Sequence, residues 1–408
     1  EQGIEQGIEQ GARQEARSHI LKSIQTGKHV GTANKAVISR FGDEIFTAAN
    51  QAGVYVMLEA AVGGGIPVIQ PLKQSLSVNR IHTVTGIING TTNYILTRMQ
   101  TEGSNFSDVL ADAQRLGYAE ADPTADVDGL DAADKIAILA SLAFGGRIKL
   151  KDVYCEGIRQ VSKTDIAYAE KLGFVIKLLA IAQSAAPLAA IANRTTSPSP
   201  SSPRQSPQRG EPSEVHPEGN PPRDFSPQGA GTSSPPFISV RVHPTLVPKA
   251  HPLASINGVN NAILVEGEPI GQVMFFGPGA GAGATASAVS SDILNLVAAL
   301  KTSTATPNQL LACGHQGYCQ IVPMAELVTR FYARFLTKDQ PGVIGKLGTC
   351  FGNHGVSLES VVQTGFQGEL AEIVVVTHDV QEGDFRQALT EIHSLTAVES
   401  IPSLLQVL

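Results

Sequence analysis

The residues best able to do chemistry lie between 117 and 135, in the run GYAEADPTADVDGLDAADK. Glu120, Asp122, Asp126, Asp128, Asp131 and Asp134 set six carboxylates ahead of a single lysine, Lys135. Pro123, Gly129 and the Asp/Thr cluster between them predict a loop. Leu130, Ile136, Leu139, Ala140 and Leu142 predict a helix behind it, stopped by Gly145 and Gly146. Asp131 and Lys135 stand four apart and share one helix face. An isolated pair of that kind reads as a surface ion pair of little energetic weight, and acids at a helix start read as caps. So many uncompensated carboxylates argue instead for a cationic ligand, a metal or a lysine as their partner.

Three other stretches carry possible chemistry. Lys35 closes Thr32-Ala33-Asn34-Lys35 just past a predicted strand at 28–30, where open α/β sheets place ligands; a lone surface lysine is the plain alternative. Glu59 precedes Gly63, Gly64, Gly65 and Pro67, a turn whose carbonyls, with the Glu59 carboxylate, suit a hard cation. The glycines from Gly277 to Gly283 open a helix and suit a phosphate or the edge of a dinucleotide. No Gly-x-Gly-x-x-Gly occurs in the 408 residues. Cys313 and Cys319 bracket His315, with no fourth ligand at metal-site spacing.

The elements that must hold these residues follow from pattern. Helices are predicted at 15–25 and 43–52, with strands at 28–30 and 54–58, as in the second half of a parallel α/β layer. A strand at 81–88, helices at 94–100 and 107–116, a strand at 153–158 and a helix at 165–182 follow. Residues 194–236 hold 11 of the 24 prolines with almost nothing to bury, and predict a disordered surface insertion between neighbouring strands. Short strands with turns at 257–258 and 266–267 fill 242–276, and a helix runs to 300. After a polar connection, 329–408 read βαββαβ, a ferredoxin-like unit.

Length allows two or three domains, and 42% hydrophobic content supports real cores. Net charge is −7 without a basic stripe, which argues against nucleic acid as a partner. No stretch qualifies as a membrane span, so no membrane partner is expected; the most apolar candidate, 173–192, is interrupted by Lys177, Gln183 and Pro187. Four irregularly spaced cysteines predict reduced thiols in the cytoplasm. The chain opens on a four-residue repeat at 1–11, without Met, and reads as a frayed or cut start.

The ordered stretches ending at Lys35, at 59–67, 86–96, 117–135 and 277–292, together resemble homoserine dehydrogenase of the long form with a C-terminal ACT domain. The resemblance covers 16–408 apart from the insertion. It implies an α/β architecture in several units: an incomplete Rossmann-like nucleotide domain at 1–58 completed by about 277–300; an α+β catalytic and dimerisation domain with a mixed sheet at 59–276; a linker at 301–328; and the ACT domain at 329–408. It implies NAD(P)-dependent interconversion of L-homoserine and L-aspartate 4-semialdehyde, in threonine, methionine and isoleucine biosynthesis. Lys135 is then the proton donor, with Lys35 beside the nicotinamide and substrate. Glu120 and Asp131 bind the substrate, and Gly117 and Gly281 touch NADP or NAD. Glu59, Val62, Gly64 and Ile66 form a site for a monovalent cation such as sodium. It implies a homo-oligomer with no membrane partner, and threonine as effector at 339–343 and Asn353. A second lysine near Lys135 is expected to depress its pKa. Against the family pattern, the Gly-rich phosphate turn has no counterpart. The alternative is therefore a catalytically impaired, non-catalytic amino-acid-binding or oligomer-partner subunit.

Overall fold

The computed structural model describes residues 2–185, 237–302, 308, 310–313 and 317–408. Helices α1 (Gln2–Gln25) and α2 (Lys35–Ala52) flank a parallel pair, β1 (Val30–Gly31) and β2 (Val56–Met57), with Val30 in register with Val56. Helix α1 runs through the opening repeat, which the pattern had placed outside the fold elements. Helix α2 begins eight residues before its predicted start. Asn34 accepts the Val37 N–H and caps it, so Lys35 falls in the first turn.

The chain continues through α3 (Ile69–Lys73), β3 (Arg80–Ile87), α4 (Gly90–Glu102), α5 (Phe106–Arg115), α6 (Thr124–Val127) and α7 (Leu130–Phe144). Then come β4 (Tyr154–Cys155), α8 (Lys163–Lys171), β5 (Phe174–Ser184), β6 (Phe237–Pro248), β7 (Asn260–Glu268), β8 (Gly271–Pro278) and α9 (Ala282–Thr302). The helix predicted over 165–182 is wrong in its second half. Ser162 and Asp165 form a capping box for α8, which ends at Lys171, and 174–184 is a strand. That run is apolar on both faces because β5 is buried on both, a pattern that hydrophobicity alone does not separate from a buried helix.

Strands β5 and β6 pair antiparallel from Phe174↔Pro248 to Ser184↔Ile238, so the chain on either side of 185–236 lies in neighbouring strands. The predicted disorder of 194–236 concerns residues outside those described. Glu266 and Gly267 sit inside β7, not at a turn; the chain reverses at Pro269 and Ile270.

The last unit comprises β9 (Gln320–Ile321), β10 (Val328–Lys338), α10 (Val343–Asn353), β11 (Leu358–Gln367), β12 (Leu370–Thr377), β13 (Val380–Gln381), α11 (Glu382–His393) and β14 (Val398–Val407). Beyond the short β9 and β13 it is the expected βαββαβ, with its own core around Phe331, Phe335, Phe351 and Phe385. Its sheet does not stand alone. Strand β14 pairs parallel with β6 (Gln406↔Thr245, Val407↔Leu246), giving one mixed twelve-stranded sheet whose main order is β11-β12-β10-β14-β6-β5-β3-β7-β8. The main core packs α4, α7 and α8 against this sheet.

Helix α9 is long and apolar enough to cross a membrane by length and composition, contrary to the expectation that no stretch qualifies. Within the fold, its buried Asp292 accepts the Glu59 N–H at 2.9 Å, and Leu296 and Ala299 pack on Tyr55, Met57 and Leu311. The helix is thus joined to β2 and the turn that follows it.

Candidate active site

Two helices bring the predicted chemistry together. Gly129 adopts φ +83° between α6 and α7, where a Cβ would stand 3.0 Å from the Cys155 sulfur and 3.1 Å from Val242. Only glycine fits both that conformation and that space. The tight entry leaves Asp131 in the first turn of α7 and Lys135 one turn later.

Asp131 is the centre of the site. Its Oδ2 accepts from Lys135 Nζ at 2.7 Å, and its Oδ1 lies 3.1 Å from Lys35 Nζ. Lys135 also donates to the Ile88 carbonyl at 2.7 Å. An ammonium has three N–H bonds, so one remains for a ligand. Asn89 caps α4 and donates through Nδ2 to Asp126 at 2.7 Å and to Asp131 at 2.9 Å. The sequence did not single out Asn89 and Asp126 for roles. Their signal was an Asn-Gly helix start and an acid already inside the cluster.

The electrostatics follow from this bridge. Burial alone would raise the Asp131 pKa, but Lys135 and Lys35 hold it down at about 2. Asp126 is raised by burial and by Asp131, against the Asn89 hydrogen bond. Lys35 is raised: burial opposes its charge, but the attraction of Asp131, Asp134 and Asp126 outweighs burial. The two lysines share one carboxylate.

A second contact fixes α2 against α7. Asp134 accepts from Ser39 at 2.6 Å and from Arg40 at 2.7 Å, one turn beyond Lys35. Glu120 is exposed, and no hydrogen bond to its carboxylate is made among the described residues; Gln114 binds its main-chain carbonyl at 3.1 Å. Gly117 (φ +77°) and Gly281 (φ +118°) are both exposed, with no atom near where a Cβ would point.

At the glycine turn, the Glu59 carboxylate accepts the N–H groups of Val68, Ile69 and Gln70 at 2.7–2.9 Å. It serves the start of α3. The carbonyls of Val62, Gly64 and Ile66 accept no hydrogen bond among the described residues. Gly64 (φ +56°) abuts Gly279, whose carbonyl oxygen a Cβ would meet at 2.5 Å. No group of three His, Cys, Asp or Glu side chains is placed to hold a metal among the described residues, and His315 lies outside them. The cysteines are free thiols.

In the terminal unit, residues 339–343 line a cavity of about 280 Å³ with Gln363 and Ile373. Asn353 is not in its lining and donates to Glu391 at 2.9 Å.

Comparison with known proteins adds an independent line. Residues 67–294 match the family model described as homoserine dehydrogenase, and 331–397 match the ACT domain model. The chain is 59% identical to a homoserine dehydrogenase of Synechocystis sp., covering 96% of this chain and 80% of that protein. It resembles the crystal structure of a homoserine dehydrogenase from Thiobacillus denitrificans, with a TM-score of 0.80 at 35% identity over 96% of this chain and 79% of the other. A hyperthermophilic archaeal homoserine dehydrogenase in complex with NADPH matches with a TM-score of 0.51 at 25% identity, over 71% of this chain and 70% of the other.

Proposed function

Because the chain belongs to the homoserine dehydrogenase family, we propose that its Lys35–Asp131–Lys135 bridge is the acid–base centre of that family's reaction. The chain is an NAD(P)-dependent oxidoreductase that interconverts L-homoserine and L-aspartate 4-semialdehyde in amino-acid biosynthesis. The bound nicotinamide supplies the hydride or accepts it.

The observation that carries the site reading is one carboxylate holding two ammonium groups. Reduction of the aldehyde builds negative charge on its oxygen. Lys135, steadied by Asp131 and the Ile88 carbonyl, points its remaining N–H at that oxygen and gives up the proton. Lys35 stays protonated and stabilises the developing charge. In the oxidative direction Lys135 takes the hydroxyl proton. Asp131, ionised throughout, holds the substrate ammonium together with Asp126 and Glu120.

The cofactor is NADP or NAD. The bare glycines at 117 and 281 leave room for it to approach the main chain, and the archaeal relative's complex with NADPH supports this reading. Residues 1–58 with 277–300 form the cofactor side, and 59–276 the substrate side. A monovalent cation such as sodium is held by the main-chain carbonyls of Glu59, Val62, Gly64 and Ile66, the Glu59 carboxylate being engaged elsewhere. Threonine occupies the cavity at 339–343. The enzyme is a cytoplasmic homo-oligomer. The rival reading, a non-catalytic binding subunit, gains no support from a site in which both lysines and the bridging aspartate are in place.

Semialdehyde-dependent oxidation of NADPH tests the assignment. Activity in the native chain and turnover lower by about 10²–10⁴-fold in Lys135→Ala, with unchanged circular dichroism, is the expected result. Undiminished activity in the variant would overturn the role given to Lys135.

A further inference from the structure

Behind the two lysines, one to two turns farther along α2 and α7, the helices part around a separate cavity of about 230 Å³. Its apolar wall is made by Phe46 of α2, Leu58 after β2, and Ile138 and Leu142 of α7. Gly42, inside α2, faces the same space, and a Cβ there would come 3.3 Å from the Phe46 ring. A glycine inside a helix costs roughly 0.5–1 kcal/mol relative to alanine. Here the missing side chain leaves the floor of the cavity open.

The rim is cationic. Arg147 pairs with Asp43, and Arg40 with Asp134. Lys149 lies 4.7 Å over the Tyr318 ring and makes no ion pair among the described residues. Neither lysine of the catalytic bridge lines this cavity. Among the described residues Lys149 is left without an ion-pair partner, and Asp43 and Asp134 are both paired.

We propose that this cavity binds a small monocarboxylate with a compact branched or ring-shaped apolar body. Its volume lies below the roughly 300–1,000 Å³ of drug-sized sites, which limits the occupant to a small metabolite. The apolar wall takes the body and Lys149 takes the carboxylate. Because Asp43 and Asp134 are already paired, an amino group on the ligand finds no counter-charge. The site therefore prefers a simple carboxylate to the corresponding amino acid, the opposite of the catalytic site. Its occupant touches Ser39 and Arg40, the two donors that tie α2 to Asp134.

Calorimetry on the full chain with 4-methylpentanoate as probe tests this, with leucine and 4-methylpentanamide as controls. Saturable binding is expected, about fivefold or more weaker for either control, in line with loss of one charge contact. Gly42→Leu fills the cavity while favouring the helix, and should weaken binding about tenfold or more. Lys149→Gln, at the surface, should weaken it about fivefold. Homoserine should bind both variants as it binds the native chain. No saturable heat up to about 20 mM probe, equal binding of leucine, or unchanged affinity in Lys149→Gln would each overturn the proposal.

Discussion

Two charge clusters in this molecule are inverses of each other. At the proposed active site one carboxylate, Asp131, lies between two cations, Lys35 and Lys135. Between the ACT unit and the catalytic unit one cation, Arg334 of β10, lies between two carboxylates: Asp165 of α8 at 2.8 Å and Glu372 of β12 at 3.1 Å. Tyr332 adds a hydrogen bond to Asp165, and Tyr168 one to Glu372. The difference is access. The side chain of Lys35 is 36% exposed, whereas those of Arg334, Asp165 and Glu372 are all under 10%. An open cluster can exchange a partner for a substrate. A sealed one holds two units in register, and removing one of its partners is strongly destabilising.

The largest expected effect breaks the open cluster. Lys135→Ala should lower turnover by about 10²–10⁴-fold, the range for a lost proton donor, with the fold retained; steady-state kinetics and circular dichroism read the two separately. Breaking the sealed cluster should do the reverse. Arg334→Met leaves two buried carboxylates without their cation and should cost about 3–5 kcal/mol by denaturant unfolding, while homoserine affinity in the folded protein stays the same. A fall in affinity with no loss of stability would erase the contrast.

The pH dependence sharpens the comparison. Asp131 has its folded pKa depressed to about 2, so its stabilisation is present above the unfolded value near 4 and lost as pH falls through about 2. It amounts to on the order of 2 kcal/mol, and Asp131→Asn should flatten the acid limb of a stability–pH curve by that much. Asp292 shows what an acid does when no direct ion pair is made to it among the described residues, Lys73 acting on it only at longer range. Buried, with Glu59 nearby and Oδ1 unpartnered among the described residues, its pKa is raised to about 6. A raised acid binds its proton more tightly when folded, so stability falls as pH rises from about 4 to 6. Asp292→Asn keeps an acceptor for the Glu59 N–H and should stabilise the protein at pH 8 by about 1–2 kcal/mol, read from the urea midpoint. Destabilisation would show that the charge itself is needed.

The open cluster was largely legible in the sequence, because Asp131 and Lys135 are a local i,i+4 pair and the ordered motifs brought in Lys35. The bridge itself was not, since the contact from Lys35 to Asp131 spans 96 positions and depends on how α2 leans on α7. Asn34 as a cap was the missed signal that α2 starts at Lys35. Glu120 was placed with the substrate on motif alone, and its carboxylate is exposed. The sealed cluster was invisible. Asp165 looked like part of a long helix, and nothing in β10 or β12 marks Arg334 as a partner of Asp165, 169 positions away, or Glu372 as a partner of Tyr168, 204 positions away. The six-element βαββαβ pattern of the ACT unit was readable because its alternation is local; its fusion to the neighbouring sheet was not, because β14 meets β6 through two residue pairs only.

That small seam has a mechanical consequence. Where Gln406 and Val407 run beside Thr245 and Leu246, the ACT unit ceases to be a passenger on a tether and becomes the end of a continuous plank. A molecule pressing on the 339–343 cavity therefore cannot act by letting the unit swing free. Its push has to travel as shear or twist along the strands, through β14, β6 and β5, to β3, and Ile88, just past the end of β3, holds Lys135 by its carbonyl. Stiffness, more than distance, sets how much of that push arrives.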